Sequence, residues 1–146
     1  MLALLQRVTS ARVGVGEEYI GSIAQGLLVF LCAQPDDTET VVDKFLERIL
    51  SYRIFSDAAG KMNESVRDIA GGVLLVPQFT LAADTKGGLR PSFSKAATPE
   101  LGRRLFEYSW QRLQQLHQPV ACGRFGADMQ VTLTNDGPAT FWLSSD

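Results

Sequence analysis

At 146 residues, 45% of them apolar and 21% charged, the chain is long enough for one domain with a real core and too apolar for extended disorder. Its formal net charge of −2 excludes the bulk basic surface of a non-specific nucleic-acid binder, so no DNA partner is expected, although a local basic patch stays open. The opening MLALLQRV lacks a basic lead, its apolar stretch is too short for a signal peptide, and no window approaches a membrane span, so a cytoplasmic protein with reduced, buried thiols at Cys32 and Cys122 is expected.

In chain order, Ala11, Val13 and Val15 alternate with Arg12, Gly14 and Gly16, the pattern of a half-buried strand. EEYIGSI reads as a short second strand, and GLLVFLCA as the unbroken apolar run of a central one. The period then changes. In DDTETVVDKFLERILSYRIF, Val41, Val42, Phe45, Leu46, Ile49 and Leu50 share one helical face, with Asp36, Asp37 or Thr38 as the cap. SDAAGKMNES is a turn-rich connection, GGVLLVPQFTL a buried strand containing a proline, and AADTKGGLRPSFSKAA a long polar loop. TPELGRRLFEYSWQRLQQLHQ predicts a second helix capped by Thr98, with Pro99 in its first turn and Leu101, Leu105, Tyr108, Leu113 and Leu116 inward. Met129, Val131 and Leu133 then alternate as a strand, Asn135–Asp136–Gly137 reads as a turn, and Phe141–Leu143 resumes as a final strand. Pro138 does not fit a plain hairpin, because it has no N–H for a ladder. With about six or seven strands and two principal helices that do not alternate, residues 1–146 form a single α+β domain around a curled, mainly antiparallel, barrel-like sheet.

The absences narrow the chemistry. His117 is the sole histidine and is expected to be solvated near the end of the second helix. One histidine and two separated cysteines have no metal-ligand spacing, so no metal and no cofactor are expected. There is no GxSxG elbow, no P-loop and no dinucleotide fingerprint. Glu17–Glu18 and Asp36–Asp37 read as a turn and a helix cap rather than as an acid–base pair. An enzyme built this way works without a strong side-chain base, on a labile substrate or on one that brings its own catalytic group.

Two loops stand out. In VPQFTL, Gln78 and Thr80 are either the solvent face of a departing strand or the lip of a pocket where the N–H groups of Phe79 and Thr80 hold an oxyanion. NDGPAT is either a tight turn or a specialised corner.

Together, PQFTLAADT, RPSFSKAA, GRFGADMQV and NDGPATFWL, with QRV at 6–8 and YRIFSDAAGKMN at 52–63, resemble the bacterial D-aminoacyl-tRNA deacylase family over essentially the whole chain. Two motifs carry the resemblance: Ser-Gln-Phe-Thr-Leu, present here as Gln78–Leu81 after Pro77 in the serine's place, and Asn-x-Gly-Pro-x-Thr, intact as Asn135, Gly137, Pro138 and Thr140. The resemblance implies a homodimer that hydrolyses the ester of a D-amino acid on the 3′ end of tRNA, and with it glycyl-tRNA. It implies a cis Gly137–Pro138 peptide that reaches the partner's site and excludes L side chains by collision, with Arg7 bracing the motif and Asn135 and Thr140 supporting it. Gln78, Phe79 and Thr80 are then the catalytic group, with water as nucleophile, the ribose 2′-OH assisting and backbone N–H groups holding the oxyanion. The rival assigns the nucleophile to Thr80, which needs a base in reach. Lys86, Arg90 and Lys95 are the expected tRNA contacts, with Arg103, Arg104 and Arg124 as further candidates. Proline at 77 offers neither hydroxyl nor N–H, so the alternative reading is a tRNA-end-binding module with weakened turnover. A structural dimer and a small-molecule esterase are more distant alternatives.

Overall fold

A computed structural model describes residues 1–146. The elements run β1 (Leu2–Val15), β2 (Glu18–Ile23), β3 (Gly26–Cys32), α1 (Glu39–Ser51), β4 (Phe55–Ser56), β5 (Met62–Glu64), β6 (Gly72–Pro77), a 3-10 turn (Phe79–Ala82), α2 (Pro99–Leu116), β7 (Val120–Cys122) and β8 (Gln130–Ser144). Strands β4 and β5 form a small hairpin inside the turn-rich connection. The two strands expected at the end of the chain are one strand, β8, which runs through the Gly-Pro motif by bulging rather than turning.

The spine is β1. Along one edge it pairs antiparallel with β3 over Leu2–Val8 and with β2 over Ala11–Val15; along the other it pairs antiparallel with β8. Beyond β3 the sheet continues through parallel pairings of β3 with β6 and of β6 with β7. It then curls back on itself: a Cβ added at Gly21 of β2 would lie 3.0 Å from the carbonyl oxygen of Cys122 in β7. The result is the expected α+β fold, a nearly closed and mainly antiparallel barrel with two principal helices.

Residues alternate strictly between two cores, which explains the unbroken apolar runs of β3 and β6. Leu27, Val29 and Leu31 of β3 and Val73 and Leu75 of β6 face Val42, Phe45, Leu46, Ile49 and Leu50 of α1 and Leu105, Phe106 and Leu113 of α2. Leu28, Leu74 and Val76 face the other way, into the barrel, with Val8, Val13 and Ile23. Full burial of each such side chain contributes about 1.5–3 kcal/mol, so a one-residue slip in either strand is prohibited. Parallel pairing starts where β3 and β6 nearly touch: a Cβ at Gly26 would sit 1.9 Å from the Gly72 carbonyl oxygen, which only glycine avoids.

Of the three candidates for the first helix the cap is Thr38, and the second carries the expected Thr98. Thr38 accepts from the Val41 N–H at 3.3 Å and Thr98 from the Leu101 N–H at 3.2 Å. The inner face of α2 is turned slightly from the expected one. Leu105, Phe106, Ser109 and Leu113 are buried, whereas Tyr108 lies half-buried and donates its hydroxyl proton to Asp43 at 2.8 Å. His117 is not solvated. It is half-buried with Nε2 2.6 Å from the Gly71 carbonyl oxygen, to which it donates, and so ties the end of α2 to the start of β6. The bond reaches a residue 46 positions earlier in the chain, and no local pattern announces it.

Candidate active site

The strand expected through VPQFTL stops at Pro77. The Gln78 N–H still donates to the Leu31 carbonyl at 2.9 Å, and the backbone then tightens into the 3-10 turn. Beside this break lies a cleft of about 480 Å³, the size of a small-ligand site. Leu31, Cys32 and Val76 contribute to it from the strand ends, Pro77, Gln78 and Phe79 from the break, and Thr98, Pro99 and Gly102 from the start of α2. Phe106, Phe125 and Met129 complete a mainly apolar lining.

Phe79 is 60% exposed and leans on Phe93, with ring centroids 5.1 Å apart. As the first residues of a 3-10 turn, Phe79 and Thr80 have N–H groups with no acceptor inside the turn, and no side chain takes them. The Thr80 hydroxyl oxygen accepts a hydrogen bond from the Gln78 side-chain amide. An amide is no base in either orientation, so Gln78 cannot take the hydroxyl proton. Cys32 Sγ approaches the Ala33 carbonyl at 3.4 Å and that of Phe79 at 3.7 Å. Burial pushes its thiol pKa up, and that of Cys122 as well, so neither cysteine supplies a thiolate at neutral pH. Both cysteines are free; Cys32 is buried as expected, while Cys122 is only half-buried.

The second motif is a bulge. Gln6 pairs with Thr140 and Val8 with Asn135, so a single residue of β1, Arg7, faces the four residues Asp136–Ala139 of β8. Arg7 holds the bulge from behind. Its Nε donates to the Asp136 carbonyl at 2.8 Å and its Nη1 to the Ile54 carbonyl at 2.8 Å, with the side chain only 12% exposed. Asn135 closes the bulge: its Oδ1 accepts from the Ala139 N–H at 2.7 Å, and its Nδ2 donates to the Ala139 carbonyl at 3.2 Å and to Thr140 Oγ1 at 2.9 Å. The Gly137–Pro138 peptide is cis, and both residues are exposed at the tip. Gly137 has φ +146°, and a Cβ there would lie 2.8 Å from the Ala139 nitrogen and 3.0 Å from Arg7 Nη2, so the position requires glycine.

Within one chain the two motifs stand apart. Neither Gly137 nor Pro138 lines the cleft. Along β1, Leu2 pairs with Cys32 at the cleft and Arg7 backs the bulge, a separation of five residues, or roughly 16 Å of strand. The structure therefore brings Arg7, Asn135, Gly137, Pro138 and Thr140 together at one place and Gln78, Phe79 and Thr80 at another.

None of the basic candidates lines the cleft itself. Lys86, Arg90 and Lys95 lie in the excursion between the 3-10 turn and α2 and are exposed, with Lys95 Nζ 3.7 Å from Asp84. Arg103 lies over the Phe125 ring at 5.0 Å, while Arg104 and Arg124 point to solvent. Sequence reasoning missed the far wall of the cleft, Phe106, Phe125 and Met129. The available signal was Gly102 inside a helical pattern, where a Cβ would come 3.3 Å from the Phe125 ring.

Comparison with known proteins points the same way. The family model described as D-Tyr-tRNA(Tyr) deacylase matches residues 4–144. A D-aminoacyl-tRNA deacylase of Pseudomonas fluorescens is 61% identical over 145 residues, covering 99% of this chain and 100% of the relative. One of Herminiimonas arsenicoxydans is 62% identical over 143 residues, covering 98% and 96%. Among solved structures, one titled c-Myc DNA Unwinding Element Binding Protein superposes with a TM-score of 0.94 at 37% identity, over 100% of this chain and 99% of that one.

Proposed function

This chain belongs to the D-Tyr-tRNA(Tyr) deacylase family and is a hydrolase of the aminoacyl-tRNA ester bond; we propose that it works as a cytoplasmic homodimer whose site is completed across the subunit boundary. The terminal adenosine of the tRNA enters the apolar cleft, and the amino-acid ester lies over Gln78, Phe79 and Thr80. The Phe79 and Thr80 N–H groups hold the oxyanion as water attacks the carbonyl carbon. The proton lost by the water passes by way of the ribose 2′-OH to the departing 3′-oxygen, leaving a free D-amino acid and an intact tRNA. The Thr80 hydroxyl orients the ester. Its only side-chain partner, the Gln78 amide, is not basic, which leaves it without the base a nucleophilic role requires.

Chirality is read by the corner of the partner. Gly137 and Pro138 sit exposed on a bulge that Arg7 and Asn135 hold rigid, and an L side chain at the α-carbon meets their backbone. A D side chain points away, and glycine has no side chain to collide, so glycyl-tRNA mischarged on tRNA-Ala is a substrate as well. Lys86, Arg90 and Lys95 meet the tRNA. The observation carrying this reading is the separation within a single chain: a braced, exposed corner that its own cleft does not use.

Single-turnover hydrolysis of D- and L-aminoacyl-tRNA with the same side chain tests it, with a terminal 2′-deoxy control. Rapid hydrolysis of the D ester only, slowed by the deoxy substitution, is expected. Equal rates on both enantiomers overturn the chiral reading, a rate indifferent to the 2′-OH overturns substrate assistance, and tight binding with no hydrolysis establishes the weakened-module alternative at Pro77.

A further inference from the structure

Between the 3-10 turn and α2 the chain makes an arch with a firm base. The Asp84 N–H donates to the Ser92 carbonyl at 2.7 Å and the Ser92 N–H returns to the Asp84 carbonyl at 3.0 Å. Asp84 is also engaged by its side chain: Oδ1 accepts from the Lys86 N–H at 3.0 Å, and Oδ2 faces Lys95 Nζ at 3.7 Å. Phe93 at the base leans on Phe79, so the arch stands on the rim of the cleft. Above the base, residues 85–91 read Thr-Lys-Gly-Gly-Leu-Arg-Pro, with two cations and no carboxylate. At the tip Leu89 is fully exposed, at 103%, and it is the most exposed large apolar side chain of the molecule.

A free leucine between two unpaired cations is neither a core residue nor a solubilising surface. It matches a partner that alternates negative charge with flat apolar faces, which is the chemistry of a single-stranded polynucleotide. One leucine and two cations are too few to hold a bilayer. Leu89 lies three residues from the base at Ser92, a reach of at most about 11 Å, which keeps the tip close to whatever leaves the cleft mouth.

We propose that this arch grips the unpaired nucleotides just upstream of the terminal adenosine, with Leu89 packed on a base face and Lys86 and Arg90 on the flanking phosphates. The inference rests on adenosine occupying the cleft. It gives the arch a separate role, that of distinguishing a nucleotide at the end of an RNA strand from a free aminoacyl-nucleoside. Base faces are alike in apolar character, so the grip is indifferent to sequence and suits every tRNA.

The test compares kcat/KM on D-aminoacyl-tRNA with kcat/KM on the corresponding 3′-D-aminoacyl-adenosine. In Leu89→Ser the ratio of the two is expected to fall about tenfold, the loss of one apolar base contact. In Lys86→Ala/Arg90→Ala the salt slope for the tRNA substrate is expected to drop by about 1.4, two single-strand phosphates at roughly 0.7 each. An unchanged ratio with an unchanged slope overturns the arch. Affinity for a short fluorescent RNA ending in unacylated adenosine reads the same contact without turnover: at least about fivefold weaker binding by Leu89→Ser is expected, and an equal Kd overturns the proposal. If the native protein hydrolyses neither ester, the reaction assignment fails while this binding measurement still decides the arch.

Discussion

Replacing Arg7 by alanine separates the brace from the barrier it supports. The side chain makes two charge-assisted hydrogen bonds, to the carbonyls of Asp136 and Ile54, each 2.8 Å long, the first exposed and the second partly buried. Each such bond contributes about 1.5–3 kcal/mol. The one to Ile54 matters for folding: Ile54 is 1% exposed, so its carbonyl is left orphaned, and Tm falls. The one to Asp136 matters for the corner, whose residues have no strand partner on β1 between the Gln6 and Val8 pairs. Losing about 1.5–3 kcal/mol of restraint there lowers the D-over-L ratio of kcat/KM by roughly 10- to 100-fold, since 1.4 kcal/mol is a factor of ten. The assay is deacylation of D- and L-aminoacyl-tRNA by native protein and Arg7→Ala at a temperature well below either Tm. The L rate should rise more than the D rate falls. A ratio within twofold of native, in a protein that has lost stability, would refute the reasoning, because it would mean that Asn135 alone fixes the corner.

Thr80→Val keeps the shape of the side chain and removes the hydroxyl. With water as the nucleophile, kcat should fall by no more than about 100-fold, with residual D selectivity, whereas a drop of 10⁴-fold or more in single-turnover rate would establish a covalent role. Pro77→Ser restores an N–H at the end of β6. The Gly123 N–H already donates to the Leu75 carbonyl at 2.8 Å, and in a parallel ladder the Gly123 carbonyl faces the N–H of residue 77, which proline lacks. The variant should therefore gain about 0.5–1.5 kcal/mol in denaturant unfolding and hydrolyse D-aminoacyl-tRNA at least as fast as the native protein; a slower rate would show that proline is the better residue at this cleft.

The elements legible in the sequence are those with a period. Both helices, the Thr98 cap and the apolar cores of the central strands β3 and β6 follow from spacing alone, because two opposed cores make every residue of those strands apolar, whereas the first helix offered three caps of which the structure uses Thr38. The departures occur where a long-range contact decides the local structure. The last strand looked broken at Pro138 because proline leaves the ladder, yet β8 stays paired to β1 on both sides of the motif, and Arg7 fills the gap that proline creates. The solvated reading of His117 failed for the same reason, since its partner Gly71 lies 46 residues away. The cleft itself was half legible: Gln78, Phe79 and Thr80 stood out as an interruption, while Phe106, Phe125 and Met129 have ordinary core chemistry and become walls only when α2 and the segment before β8 meet over the strand ends.

Both functional groups arise from one device, a controlled break in a hydrogen-bonded ladder. At Pro77 the break turns the backbone into a 3-10 turn and frees donors; at Asp136–Ala139 it throws out a four-residue bulge and frees acceptors. A substrate that brings its own hydroxyl to the reaction needs such donors to hold charge and such acceptors to present a wall, and it needs no histidine. Within one barrel the two breaks stand apart, each set in intact pairing: the bulge between Gln6–Thr140 and Val8–Asn135, the turn just after Leu31–Pro77. In the proposed dimer a second barrel brings them together. Each subunit of that proposed dimer lends its bulge to the other's cleft without weakening either sheet; the proposal ties chiral selection to assembly and predicts that an isolated protomer binds the adenosine end yet lacks the surface that rejects an L ester.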